Sequence, residues 1–350
     1  MDTMTQSIRP PAVLGQPIID PAAWTGQELA ACTDWKYELT SQEADELIDM
    51  ARQLQRTVNG DLNGLLKLKK EAFVLGDFSK RIEQLSQQLA NGLGVVLIRG
   101  LPMHELDLAT AATIYFAVGS HLGQPKSNNA EGDLLSHVTD IGKSYADPNS
   151  RGYQTKDALD YHCDQTSIVG LYCVRAAREG GQSKIASSVS VYNALLQRSP
   201  ESVAALSEPF YWTRHGEVNP GDSPFYQSAV FNVLDEKLCV SFGPRHIEKG
   251  HALPGAPALT ELQRNALSLA ETVAEELSYS MELCPGDMQF LNNFVVLHRR
   301  TAYTDWPQEE KKRLLWRMWL SAPELRPATQ YIKQWEQGVK LNTTRERIAV

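Results

Sequence analysis

The chain has 350 residues, a formal net charge of −8 and 22% charged residues. An acidic chain of ordinary soluble composition argues against a general nucleic-acid or anionic-membrane surface, and an anionic ligand would need local arginines acting against the overall field. The scattered cysteines Cys32, Cys163, Cys173, Cys239 and Cys284 form no CxxC pair. With no signal peptide and no apolar run of membrane-spanning length, they predict reduced thiols in a cytoplasmic protein.

Residues 1–25 are Pro-rich and without period, and read as an extended arm. Thr40 to Glu43 has the form of a capping box, and Ala44, Leu47, Ile48, Ala51 and Leu54 then make one apolar stripe, so a helix runs to Asn59-Gly60. Phe78, Ile82, Leu85 and Leu89 mark a second helix, stopped by Asn91-Gly92. Val95 to Ile98 is a short apolar run between Gly94 and Gly100, a buried strand. A helix over 107–121 ends at Leu122-Gly123-Gln124-Pro125.

The polar segment from Lys126 to Leu159, with Asn128-Asn129, Asp147-Pro148-Asn149 and Arg151-Gly152, is expected to be a loop over a pocket. Strands are expected at Ile168–Val174, Ile185–Val191, Tyr211–Thr213, Ala229–Phe231, Leu238–Phe242, Met288–Asn292 and Leu314–Leu320. Ser199-Pro200 opens a short helix, and Thr260 caps a longer one through Glu276. Many short strands with turn signals predict a mainly β fold with flanking helices around a double-stranded β-helix, or jelly roll. The predicted organisation is a single domain: an arm and helices over 1–93, a core over 94–325 with a lid-like insert at about 126–159, and a tail over 326–350.

The chemistry centres on Tyr161-His162-Cys163-Asp164. In an extended segment the side chains at i and i+2 share a face, so His162 and Asp164 can reach one metal ion while Cys163 turns into the core. His298 is the candidate third ligand. Two His and one carboxylate with open positions opposite is the facial arrangement of non-haem Fe(II) oxygenases, although Zn(II) also accepts such a set. Arg313 and Arg317 stand at i and i+4 of an alternating strand and so share a face, a fork for a dicarboxylate or for two anions.

These segments, in this order, resemble the TauD/TfdA-like (taurine dioxygenase) family of Fe(II)- and 2-oxoglutarate-dependent oxygenases. Gly94 to Gly100 is similar to the family's first core strand, and His162-Cys163-Asp164 to its His-x-Asp pair. Gly180-Gly181-Gln182-Ser183 resembles its Gly-Gly-Asp-Thr turn, with Ser183 in place of the hydroxyl that contacts 2-oxoglutarate. Phe290-Leu291-Asn292-Asn293 leading to His298 resembles Phe-Trp-Asp-Asn-Arg before the distal His. Asn292 and Phe294 depart from the family's Asp and Arg, which bears on the groups around His298 rather than on ligation.

The resemblance implies that His162, Asp164 and His298 hold Fe(II), that 2-oxoglutarate and O2 take the open positions, and that Arg313 and Ser183 hold the cosubstrate's distal carboxylate. It implies succinate and CO2 as coproducts. It also implies oxidation of a C–H bond in a small carboxylate-bearing substrate, such as an amino acid, bound by Arg317 and Arg245. Hydroxylation, desaturation and ring closure are all open, as is a homo-oligomer. The alternatives on the same residues are a zinc-dependent hydrolase and a non-catalytic binding protein.

Overall fold

In the computed structural model, residues 9–144 and 151–350 are described. Asp147-Pro148-Asn149 and residues 1–8 of the arm lie outside them.

Two capping boxes start the first helices. Thr25 caps Gly26–Ala31, and Thr40 caps Ser41–Thr57, where Glu43 N donates to Thr40 Oγ1 at 3.2 Å and Thr40 N donates back to Glu43 Oε2 at 2.9 Å. The apolar stripe of Ser41–Thr57 faces Leu108–Leu122, a helix buried on nearly every side because the larger β-sheet covers its other face. Close approach there depends on glycine: a Cβ on Gly119 would lie 2.4 Å from Met318 Sδ, and one on Gly170 would lie 2.5 Å from Tyr115 Oη.

The larger sheet runs Lys36–Glu38, Val95–Arg99, Met288–Asn292, Ile168–Arg175, Leu314–Ser321, Gln124–Lys126, and Ser136–Val138 also pairs with Leu314–Ser321. All its pairings are antiparallel except the first. Its central strands are buried on both faces, so they read as continuous apolar runs rather than clean alternations. A smaller sheet of Tyr279–Met281, Ser183–Ser187 and Val296–Arg300 lies opposite. Gln289 of the larger sheet links the two: it accepts from Ser183 Oγ at 3.2 Å and donates to Met281 Sδ at 3.1 Å. The helices Ser188–Arg198, Pro200–Leu206 and Glu261–Leu277 cover the smaller sheet and one another.

Several strand boundaries differ from the sequence reading; the strand expected over Leu238–Phe242 is Lys237–Val240, and that expected over Tyr211–Thr213 begins at Pro209. The strand expected over Ile185–Val191 ends at Ser187, because the Ser187 hydroxyl accepts from Ser190 N at 3.0 Å and caps the helix that follows. The run Ala229–Phe231 is not one strand. Phe225–Ala229 pairs with Pro209–Thr213, Phe231–Leu234 pairs with Lys237–Val240, and Val230 is the corner between them. The arm is packed from residue 9 onward in part by Ile18 and Trp24, whose indole donates to Leu93 O at 2.9 Å. Tyr331, Trp335, Val339 and Ile348 are likewise buried, and Tyr331 Oη donates to Cys163 O at 2.8 Å behind the candidate site. No described helix is long and apolar enough to cross a membrane.

Candidate active site

The site lies between the two sheets. The segment at His162 is joined to the smaller sheet by one pair of backbone bonds, His162 N to His298 O at 3.0 Å and His298 N to His162 O at 2.9 Å. This pairing sets the two imidazoles side by side, with ring centroids 4.3 Å apart. Cys163 turns away into the core, with its N–H on Phe242 O. Asp164 then returns to the face of His162, and ligand atoms of His162, Asp164 and His298 all lie within 4.8 Å of one another.

Each of the three is prepared for a cation. His162 Nδ1 lies 2.8 Å from Asp160 O; a carbonyl only accepts, so Nδ1 is the donor and Nε2 is the nitrogen turned to a ligand. His298 is buried, and its Nδ1 has no hydrogen-bond partner among the described residues. Burial, and then His162, push His298 down to about 3, so the ring is neutral in the ordinary pH range. Burial alone would raise Asp164, but Arg317, His298, His162 and the Trp319 indole together hold it well below the usual carboxylate range. Trp319 Nε1 donates to Asp164 Oδ2 at 3.0 Å, and Arg317 Nη1 stands 3.4 Å from Oδ1. Asp164 N donates to Asn293 Oδ1 at 3.0 Å, while Asn293 Nδ2 is fixed on Thr166 O. Two imidazoles side by side, an ionised carboxylate and a buried nitrogen without a partner suit a divalent metal ion.

Two chambers meet at these residues. The first is lined by Ser183, Leu171, Leu315, Arg300, Arg313 and Gly181, among others. Gly180 and Gly181 have positive φ, +75° and +73°, and a Cβ on Gly181 would press 3.1 Å from Arg313 Nε. Arg313 is buried, stacks at 5.0 Å over the Tyr303 ring, and its Nη1 has no partner among the described residues. Burial lowers the Arg313 guanidinium, against Tyr303, Cys173 and Asp305, which raise it. The second chamber is lined by Arg151, Gly243, Arg245 and His246, and shares His162, Asp164, Tyr153, Leu159 and Arg317 with the first.

The arginines at positions 313 and 317 both reach the site, and Ser183 opens on the chamber of Arg313. Arg317 lies 4.5 Å over the Tyr153 ring and donates to Asn128, so both residues support the wall; the segment expected to be a loop also supplies the strand Ser136–Val138 to the larger sheet. Arg245 is at the rim, in the first turn of the helix Pro244–His251, and pairs with Glu248 at 3.4 Å. His246 borders the same chamber, its ring 4.4 Å from that of His215. Asn292 faces away: its side chain donates to Leu89 O and receives Phe294 N, so the departure from the family's Asp does not fall on His298.

The family described as "Taurine catabolism dioxygenase TauD, TfdA family" matches residues 61–319. The chain belongs to this family. It is an Fe(II)/2-oxoglutarate-dependent dioxygenase, and membership decides against the hydrolase and the non-catalytic scaffold. Among its relatives is FR-33289 synthase of Streptomyces rubellomurinus, 30% identical over 334 residues, which span 94% of this chain and 97% of that protein. Taurine hydroxylase-like protein SAT17 of Stachybotrys chartarum is 27% identical over 294 residues, covering 81% of this chain and 74% of that one. In fold, the TauD-family chain resembles asparagine oxygenase solved with Fe(II), 2S,3S-3-hydroxyasparagine and succinate, with TM-score 0.66, 19% identity, and 84% and 97% of the two chains covered. The double-stranded β-helix expected from the strand pattern is the fold of this TauD-family core.

Three residues of the site were not singled out from sequence. Trp319 and Asn293 hold Asp164, and Arg300 lines the first chamber. Trp319 was open to discovery, because it continues the alternation Arg313, Leu315, Arg317 by one more step.

Proposed function

We propose that His162, Asp164 and His298 hold the Fe(II), that 2-oxoglutarate lies in the chamber of Ser183 and Arg313, and that the substrate is a small carboxylate-bearing molecule of the amino-acid class, bound in the chamber of Arg317 and Arg245. The observation that carries this reading is the placement of three ligand atoms within 4.8 Å of one another where two arginine-lined chambers meet. Arg300 and Arg313 line the first chamber alone, Arg151 and Arg245 the second alone, and Arg317 stands between them, so two different anions can approach one centre. The name of the structural neighbour, an asparagine oxygenase holding a hydroxylated amino acid, supports the substrate class. The free thiols of Cys32, Cys163, Cys173, Cys239 and Cys284 support a reducing, cytoplasmic setting.

When bound, the metal and 2-oxoglutarate supply O2 activation coupled to decarboxylation, giving succinate, CO2 and the oxidising power that removes hydrogen from a C–H bond. The protein does the rest. Asp160 O fixes the His162 tautomer, Trp319 fixes the Asp164 carboxylate, and Asn293 fixes the Asp164 backbone by accepting its N–H. Arg313 and Ser183 orient the cosubstrate, and Arg317, stacked on Tyr153, turns the substrate's anion so that one C–H bond faces the centre. Leu171, Leu315, Leu159 and Val138 keep the first chamber largely dry, which strengthens each of these charge contacts.

The test is a mass-spectrometric screen of amino and hydroxy acids with Fe(II) and 2-oxoglutarate, with succinate as the readout. A true substrate releases one succinate per product. Asp164→Ala should abolish 2-oxoglutarate turnover; turnover at the wild-type rate would show that the ligand assignment is wrong.

A further inference from the structure

Arg300 is the second residue after His298 on the strand Val296–Arg300, so the two side chains share a face. It is also the register partner of Ser183 on the neighbouring antiparallel strand. Directly opposed residues of an antiparallel pair project to the same side. His298, Arg300 and Ser183 thus open on one chamber, which Arg313 enters from the other sheet.

Both guanidiniums pack against the Tyr303 ring, with Arg300 Cζ 4.8 Å and Arg313 Cζ 5.0 Å from its centroid. Arg300 is buried, and only Nη2 is engaged, donating to Asp157 O. Its Nε and Nη1 have no hydrogen-bond partner among the described residues, and neither does Arg313 Nη1. Burying two like charges on one ring, with three donor nitrogens unspent, is costly unless an anion completes the site. The spacing is also apt. Two residues of strand span about 6.8 Å, close to the length of a five-carbon dicarboxylate held by one end at His298.

We propose that Arg300 is a cosubstrate-binding residue: with Arg313 it forms a two-arginine clamp on the distal carboxylate of 2-oxoglutarate, beside the Tyr303 ring. This rests on the assignment of the first chamber to 2-oxoglutarate. The clamp makes the protein selective for 2-oxo acids that carry a second carboxylate. Through Asp157 O it also joins the bound cosubstrate to the insert that carries Tyr153.

The test uses Arg300→Gln, Arg300→Lys and Arg313→Gln. Each is assayed with 2-oxoglutarate and with 2-oxopentanoate, which has the same chain without the distal carboxylate. Binding of 2-oxoglutarate to the Mn(II)-loaded protein is followed by calorimetry as a readout independent of turnover. Arg300→Gln should raise KM and Kd for 2-oxoglutarate at least tenfold with kcat changed less than threefold, leave 2-oxopentanoate unaffected, and so collapse the preference between them. Arg300→Lys should recover part of that preference, which also guards against simple misfolding.

Equal losses for both acids would mean that Arg300 only tethers the insert, and would overturn the proposal. So would a 2-oxoglutarate KM within twofold of wild type in Arg300→Gln while Arg313→Gln raises it; the chamber assignment would survive. If neither arginine variant changes KM or Kd, the chamber assignment itself fails.

Discussion

Trp319→Phe isolates the part of metal binding that depends on how Asp164 is held. The indole is fully buried, and its Nε1–H reaches Asp164 Oδ2 at 3.0 Å. Phenylalanine keeps most of the ring and removes the donor. A hydrogen bond to a charged acceptor is worth about 1.5–3 kcal/mol. Loss of a partner that orients a metal ligand costs about 10- to 100-fold in affinity, which is about 1.4–2.8 kcal/mol at 1.4 per tenfold. The two routes agree. Arg317, His298 and His162 still depress Asp164 in the variant, so the carboxylate stays ionised near neutral pH and the loss is one of orientation.

The assay is thermal or denaturant unfolding with and without Mn(II), fixed at 100 times the wild-type Kd. Wild type should gain about 2.7 kcal/mol from the metal. A tenfold weaker variant at the same metal concentration should gain about 1.4 kcal/mol. Any packing lost in replacing indole by phenyl appears with and without metal, and cancels in the difference. A metal-induced gain equal to that of wild type would refute the claim that Trp319 holds the ligand.

Two further outcomes follow from the surroundings of the site. Burial, and then the neighbouring Asp160, push Glu271 up to about 8, and its Oε1 is buried without a partner among the described residues. A folded value above the unfolded one, 4.5, gives stability that is complete below 4.5 and is lost as pH rises to about 8. The loss spans about 3–5 kcal/mol, so Glu271→Gln should flatten the fall in urea midpoint across that range; an unchanged slope would mean the carboxylate is ionised throughout. Gly170→Ala puts a Cβ 2.5 Å from Tyr115 Oη and 2.8 Å from Phe290 Cε1. The overpacking should cost about 1–3 kcal/mol in denaturant midpoint, and a variant as stable as wild type would show that the helix Leu108–Leu122 can shift away.

The parts legible in sequence were those written in a local period. His162 and Asp164 flank a core cysteine at i and i+2, and the structure keeps that alternation although the segment is joined to its neighbour at His162 by an isolated bridge rather than a ladder. The capping boxes at Thr40 and Thr260 appear where their residue types predict. The strand end at Ser187 was missed because Ile185 to Val191 alternates well enough for either structure; a serine cap, a local hydrogen bond, outweighs the hydrophobic period there.

Asn292 and Asn293 show a second kind of limit. They are adjacent and chemically identical, yet one caps the carbonyl of Leu89 and the other receives the N–H of Asp164. Position along the chain cannot separate them, because the strand pleat sends successive side chains to opposite faces and only the assembled sheets define which face holds the site. Arg300 was hidden for the same reason. Its partner Ser183 is remote in sequence, and the third member, Arg313, arrives from the other sheet. A ligand pair at i and i+2 announces itself within one strand, whereas an anion clamp built across two sheets exists only once their register is known. In this chain the metal ligands are therefore read from spacing, and the groups that orient them and select the cosubstrate are read from the pairing of strands.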